Sequence, residues 1–250
     1  GTPEERTQDL VQAFADTDND YILCTRGGYG LQQIIDRLPM NQGGVIIGFS
    51  DVTELHCLMA LQGKKSLHAS MCKALAELPE NDDSIGIFRD ALQGKKLQYT
   101  LSPHLLNRQG QTQGRVIGGN LSVLYGLQGT PYALTEILDL HERQGLKTIL
   151  FIEDIAENHY HIDRMMNNLR MSGVLRRLSG LVVGQFSDTK DDPSMGCSIY
   201  ETILHAVRDY AYPVLFDFPA GHTSVNYPLW LNTPAEMCVS PTCAMLRFDN

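Results

Sequence analysis

Residues 44–61 read Gly-Val-Ile-Ile-Gly-Phe-Ser-Asp-Val-Thr-Glu-Leu-His-Cys-Leu-Met-Ala-Leu. The run Gly44 to Gly48 is a short apolar stretch bounded by glycines, the pattern of a strand buried on both faces. Phe49-Ser50-Asp51 makes the turn, and from Val52 to Leu61 the apolar residues follow a helix. The same grammar stands just upstream. Tyr21 to Cys24 is a short apolar run, Arg26-Gly27-Gly28-Tyr29-Gly30 is a glycine loop, and Leu31 to Leu38 resumes helical spacing. Two strand-loop-helix units in succession predict a parallel sheet with helical crossovers. Before them, Pro3 to Ala15 carries Leu10, Val11 and Phe14 at helix spacing behind an acidic first turn.

From Gln93 to Gly114 the chain turns polar, and a domain junction is placed there. The expected division is an N-terminal domain over 1–93, a linker over 94–114 and a C-terminal domain over 115–250. In the latter, Gly118-Gly119-Asn120 opens a helix and Thr148 to Ile152 is a strand ending at Glu153-Asp154. An amphipathic helix spans His161 to Leu169, Leu181 to Gly184 is a strand, and Ser198 to Tyr210 is a helix. Val214 to Phe216 is apolar, and the alternation from Trp230 to Phe248 predicts antiparallel edge strands. The fold class is therefore α/β, a parallel-sheet N-terminal domain joined to a mixed α/β C-terminal domain.

Composition narrows the function classes. A chain of 250 residues with 43% hydrophobic and 20% charged residues has the makeup of a folded globular protein, not a disordered one. Twenty Lys+Arg against 29 Asp+Glu leave a net charge of −9 with both signs scattered, which argues against nucleic-acid binding. Stretches such as Thr148 to Ile152 fall far short of the roughly 20 apolar residues of a membrane span, so a soluble protein is expected. The six cysteines (Cys24, Cys57, Cys72, Cys197, Cys238, Cys243) form no CxxC pair and read as buried thiols in a reducing compartment. His159 and His161 lack the i, i+4 spacing of a helical metal pair, and no metal or cofactor is expected.

Three residues carry the chemistry. Ser50 sits at the sharp corner between a buried strand and a helix, where its hydroxyl is held out of the sheet beside the Asp51 amide, a place to stabilise an oxyanion. A helix N-cap would use a serine at the same corner, and Val52 breaks the GxSxG pattern of the α/β-hydrolase elbow. Residues 26–30 follow a strand, so their amides can face an anion; a tight turn has the same look, and GxGxxG is absent. Glu153 ends a strand at the carboxyl edge of the sheet, where open α/β folds bind ligands, whereas the neighbouring Asp154 suits a helix cap. His222 lies in the loop Pro219-Ala220-Gly221-His222-Thr223, where Gly221 permits a sharp turn. Ser50, Glu153 and His222, each at a strand end, form a triad by role: nucleophile, orienting acid and general base.

Taken together, Arg26-Gly27-Gly28-Tyr29-Gly30, Gly48-Phe49-Ser50-Asp51, Gly118-Gly119-Asn120-Leu121, Gly129-Thr130-Pro131, Leu150-Phe151-Ile152-Glu153-Asp154 and Gly221-His222 resemble the signature segments of the LD-carboxypeptidase family of serine peptidases, which includes the microcin C self-immunity peptidases. The resemblance runs along essentially the whole chain. It implies a cytoplasmic, homodimeric peptidoglycan-recycling enzyme that removes the terminal D-alanine from the murein tetrapeptide, with murein peptides rather than nucleic acid or membrane as partner. By motif, Ser50 would be nucleophile, His222 base, Glu153 orienting acid, and the Gly28 and Asp51 amides the oxyanion hole. Arg26, Tyr29, Asn120 and Trp230 are candidate substrate contacts.

Three departures bear on that expectation. Family chains begin with a further strand and helix before the segment that starts here at Gly1, so the first part of the N-terminal sheet is expected to be missing. The usual His-Gly-Pro-Met segment is here His68-Ala69-Ser70-Met71. After His222, Leu-Pro-Leu-Gly becomes Tyr227-Pro228-Leu229-Trp230, which puts the one tryptophan near the active-site loop. The alternatives are an immunity-type peptidase acting on aminoacyl-nucleotide compounds, with Trp230 or Tyr227 stacking on the base, and a non-catalytic muropeptide-binding module.

Overall fold

A computed structural model of the chain describes residues 1–39, 43–79 and 82–249. In chain order the elements are α1 (Pro3–Ala15), β1 (Tyr21–Leu23), β2 (Val45–Gly48), α2 (Thr53–Leu61), β3 (Ser66–His68), α3 (Cys72–Glu77), α4 (Asp83–Leu92), β4 (Gln98–Leu101), β5 (Gly110–Asn120), α5 (Leu121–Gly126), α6 (Leu134–Arg143), β6 (Thr148–Ile155), α7 (His159–Met171), β7 (Gly180–Ser187), α8 (Ile199–Ala206), β8 (Val214–Leu215), β9 (Leu229–Leu231), β10 (Thr233–Val239) and β11 (Ala244–Phe248). Among the described residues, no helix is long and apolar enough to cross a membrane.

The strands form two sheets. The smaller has the order β1-β2-β3-β9, and the larger β4-β11-β10-β5-β6-β7-β8. β1, β2 and β3 pair in parallel, as the repeated strand-loop-helix grammar requires, and β9 closes that sheet antiparallel to β3. In the larger sheet β5 to β8 are parallel, and β10, β11 and β4 are added antiparallel. Alternation along β6 shows how the core is divided. Leu150 and Ile152 face α5–α8 and pack with Leu124, Ile162, Met166 and Ile203. Ile149 and Phe151 point the other way and meet Ile47, Leu67 and Trp230 of the smaller sheet. Each such side chain, fully buried, contributes roughly 1.5–3 kcal/mol, so the two sheets share one apolar layer rather than merely touching.

Several elements differ from the sequence reading. Leu31 to Leu38 forms two 3-10 turns, Leu31–Gln33 and Ile35–Arg37, instead of an α-helix. Ile34 between them adopts φ −131°, outside the helical range, which interrupts the i→i+4 ladder. β10 and β11 are internal, and β4 takes the edge. β4 and the first residues of β5 lie within the stretch read as a linker, 94–114. Of the six cysteines, all free thiols, Cys57 is buried, Cys72 is exposed and the other four are half-buried. Apolar neighbours in sequence do not bury a thiol when the other face of the element meets solvent.

Candidate active site

The strand β2 delivers Ser50 to its place. Phe49 is extended, and Ser50 then takes φ +65°, a left-handed conformation that serine seldom adopts. Such a residue costs of order 1–3 kcal/mol and persists only where its surroundings hold it. The hold comes from two glycines. A Cβ on Gly48 would lie 2.9 Å from the Val52 methyls, so the missing side chain two residues before Ser50 admits a valine two residues after it. A Cβ on Gly27 would lie 2.9 Å from Ser50 Cβ and 3.1 Å from Oγ, so the glycine loop packs directly against the serine. The N-cap of the 3-10 turn Ser50–Val52 is Phe49 and that of α2 is Val52, and neither caps through its side chain. Ser50 thus does not occupy the cap position of the alternative reading.

Asp51 turns its carboxylate away from the serine to accept the Leu31 N–H (3.1 Å). Burial pushes its pKa up, opposed by that amide and by Arg6. Gly28, at φ +127°, lines the cleft beside Ser50, and among the described residues its N–H has no hydrogen-bond partner.

Glu153 is on β6 of the larger sheet, and His222 is on the loop that runs from β8 of that sheet to β9 of the smaller one. Alternation sends Glu153 to the side of Phe151, toward the smaller sheet, and Asp154 to the side of Ile152. Glu153 is fully buried, and its Oε2 lies 2.8 Å from His222 Nδ1. The hydrogen is assigned from this network: Nδ1–H donates to the carboxylate, which leaves Nε2 as an acceptor. Among the described residues, Glu153 Oε1 has no hydrogen-bond partner. Space for the pair depends on absent side chains, since a Cβ on Gly184 would lie 3.2 Å from Glu153 Cβ and one on Gly221 3.1 Å from its Oε2. The ring of Phe49 lies 4.7 Å from that of His222. Asp154 instead accepts from the Ser122 N–H (2.8 Å) and Asn120 Nδ2 (3.0 Å), and burial raises its pKa to about 6.

Ser50 and His222 line one cleft of about 290 Å³ with Arg26, Gly27, Gly28, Phe49, Met71, Lys73 and Glu77. Of the expected contacts, Arg26 and Gly28 stand on this cleft, and Tyr29 is exposed beside them. Asn120 is buried, its side chain spent on capping α5 and bonding Asp154. Trp230, expected near the active-site loop, is a core residue of β9 at 1% exposure, so it offers no face to a ligand. Its neighbour Tyr227 stacks on Tyr99. The sequence reading missed Lys73, Glu77 and Met71. They belong to the short segment around α3, and only its spatial position sets it over the serine. Among the described residues, no group of three or more His, Cys, Asp or Glu side chains stands at metal-binding range.

Residues 1–69 match the family model described as the LD-carboxypeptidase N-terminal domain, and residues 113–237 the one described as the LD-carboxypeptidase C-terminal domain. A probable murein peptide carboxypeptidase of Bacillus subtilis is 30% identical over 99% of this chain and 77% of its own length. The murein tetrapeptide carboxypeptidase of Pseudomonas aeruginosa is 28% identical over 90% of this chain and 75% of its own. The crystal structure of muramoyltetrapeptide carboxypeptidase from Oxalobacter formigenes superimposes with a TM-score of 0.87, covering 100% of this chain and 86% of that one at 23% identity.

Proposed function

The chain belongs to the LD-carboxypeptidase family of serine-type peptidases, and from that premise we propose that it cleaves the terminal D-alanine from the murein tetrapeptide during peptidoglycan recycling in the cytoplasm, using Ser50, His222 and Glu153. The observation that carries this reading is the buried Glu153–His222 bond beside a strained serine on the same cleft. His222 Nε2 takes the Ser50 proton as Oγ attacks the carbonyl of the diamino acid. The Gly28 and Asp51 amides receive the oxyanion. Collapse breaks the C–N bond, the proton on His222 goes to the leaving amine, and D-alanine departs from an acyl-serine ester. Water, deprotonated by the same imidazole, then hydrolyses the ester. Glu153 keeps the imidazole in the productive tautomer and stabilises the imidazolium.

Exopeptidase specificity requires recognition of a free carboxylate. Arg26 and Lys73 are the cations on the cleft, and they fit the terminal carboxylate of the leaving residue. On this reading residues 1–93 form the nucleophile domain, 115–250 supply acid and base, and the enzyme acts as a homodimer.

Mass spectrometry of L-Ala-γ-D-Glu-meso-diaminopimelate-D-Ala incubated with the protein and with Ser50→Ala tests the assignment. Release of D-alanine by the first and its loss, by about 10³-fold or more, in the second is expected. Unchanged release by the variant would overturn the nucleophile.

A further inference from the structure

We propose that Asn226 is a positioning residue of the active site, fixing the peptide that precedes His222 so that its imidazole bridges an acid on one sheet and a nucleophile on the other. The inference rests on the triad reading above and extends it to a residue outside the triad.

His222 sits on a loop between β8 and β9 that is anchored in three places. The Gln185 N–H donates to Ala220 O (2.9 Å), which ties the loop to β7. The Tyr227 N–H donates to Pro219 O (2.8 Å), which closes its neck. Inside the neck the Gly221 N–H donates to Asn226 Oδ1 (3.0 Å). Thr223, Ser224 and Val225 beyond are exposed, whereas Asn226 is 2% exposed. An asparagine in a surface loop is ordinary; one whose amide is buried and turned back on the backbone is not, because a buried amide left unpaired is destabilising.

The bonded peptide is the one that sets His222. Gly221 has φ +140°, and a Cβ there would press on both Gln185 O and Glu153 Oε2 at 3.1 Å. With its N–H held by Asn226, the following residue is aimed at Glu153. Asn226 is itself held by the opposite sheet. Three residues later Leu229 pairs with His68 of β3, in the register that also joins Gly48 to His68.

The second half of the amide points to the same role. Among the described residues, Asn226 Nδ2 is buried without a hydrogen-bond partner, and so are both ring nitrogens of His68. Asn226 interacts with His68, a ring that burial first, then His56 and His222, keep well below the ordinary histidine range and neutral. A neutral imidazole offers one acceptor nitrogen, the group that Nδ2 lacks. His68 in turn packs edge-on against Phe49 (5.8 Å) and Phe151 (4.9 Å), neighbours in sequence of Ser50 and, two residues on, of Glu153. Asn226 thus joins the floor beneath the triad to the loop that carries its base.

The test uses the full chain and a fluorophosphonate probe, which reports Ser50 activation whatever peptide is the natural substrate. Asn226→Ala is expected to slow labelling about 10- to 100-fold, as a misplacement of about 1 Å can do. Where D-alanine release is measurable, kcat should fall while KM stays within about twofold. Asn226→Asp keeps an acceptor for the Gly221 N–H and should restore labelling to within about fivefold of the parent. In proton NMR the downfield resonance of the His222–Glu153 hydrogen should persist in the aspartate variant and be lost or shifted in the alanine one. Labelling of Asn226→Ala within twofold of the parent would overturn the proposal, as would loss of labelling in a folded aspartate variant. Should the alanine variant not fold, the aspartate variant decides. If the parent labels at Ser50 but releases no D-alanine, the substrate assignment fails while the role of Asn226 stands or falls on labelling alone.

Discussion

The two walls of the cleft are built by opposite means. On the β2–α2 wall the backbone does the positioning: Ser50 is held at φ +65° with Gly27 and Gly48 pressed around it. On the β6–β7 wall side chains do it: Glu153 lies within β6, where the pairing with β7 shifts register, and a 2.8 Å hydrogen bond fixes His222. In the proposed triad the nucleophile needs one atom at one point, which a strained corner supplies. A base must hold a tautomer through two proton transfers, and only a hydrogen-bonded partner does that. The contrast predicts that the first wall breaks under added atoms and the second under removed ones.

The largest effect is expected on the side-chain wall. His222→Ala should lower kcat by about 10³-fold or more, and Glu153→Gln by about 10²- to 10⁴-fold because an amide at that position favours the wrong tautomer. Circular dichroism should show both variants folded. Activity of Glu153→Gln within tenfold of the parent would mean that the acid is dispensable, and the comparison of walls would fail.

On the backbone wall, Gly27→Ala adds one methyl 2.9 Å from Ser50 Cβ. The serine or the glycine loop must shift, and a loss of about 10²-fold in kcat is expected. The contrast sharpens if Gly86→Ala, at a glycine that like Gly27 has no positive φ but has open space around it, leaves kcat unchanged. At the rim, Arg26→Ala and Lys73→Ala should each raise KM by about tenfold with little change in kcat, since a carboxylate contact is made equally in ground and transition states. An amidated tetrapeptide should erase the difference between these variants and the parent.

The same asymmetry explains what could be read in the sequence. Strand-turn-helix grammar gave away Ser50, because the corner is written in consecutive residues, Gly48 to Val52. Glu153 was legible as a strand end, and period-two alternation separates it from Asp154. What sequence could not show is that β9, far along the chain from β3, completes the smaller sheet and carries Trp230 into the core. Proximity in sequence to His222 suggested a site residue; the pairing of Leu67 with Trp230 makes it a packing residue. The α3 rim and Asn226 were equally hidden, since neither lies beside a motif and both act only through contacts between distant segments.

The smallest effect concerns stability. Behind the strained corner, Glu54 is 4% exposed with Oε2 unpartnered among the described residues, and burial followed by the nearby Asp51 charge pushes its pKa up to about 8 from 4.5. The folded chain therefore keeps a proton that the unfolded chain releases, and stability must fall as pH rises from about 4.5 through about 8. His56, on the same helix, is held near 4 by burial and works in the other direction, losing stability only as pH drops below 6.5. Asp154, raised to about 6, titrates below the same limit. Between about pH 6.5 and 9 the slope is thus left chiefly to Glu54, and it should amount to about 2 kcal/mol. Glu54→Gln keeps the shape without the titration, so urea unfolding of that variant should be nearly flat across this range and exceed the parent's stability at pH 9. A parent profile already flat would mean that Glu54 ionises freely in the folded chain.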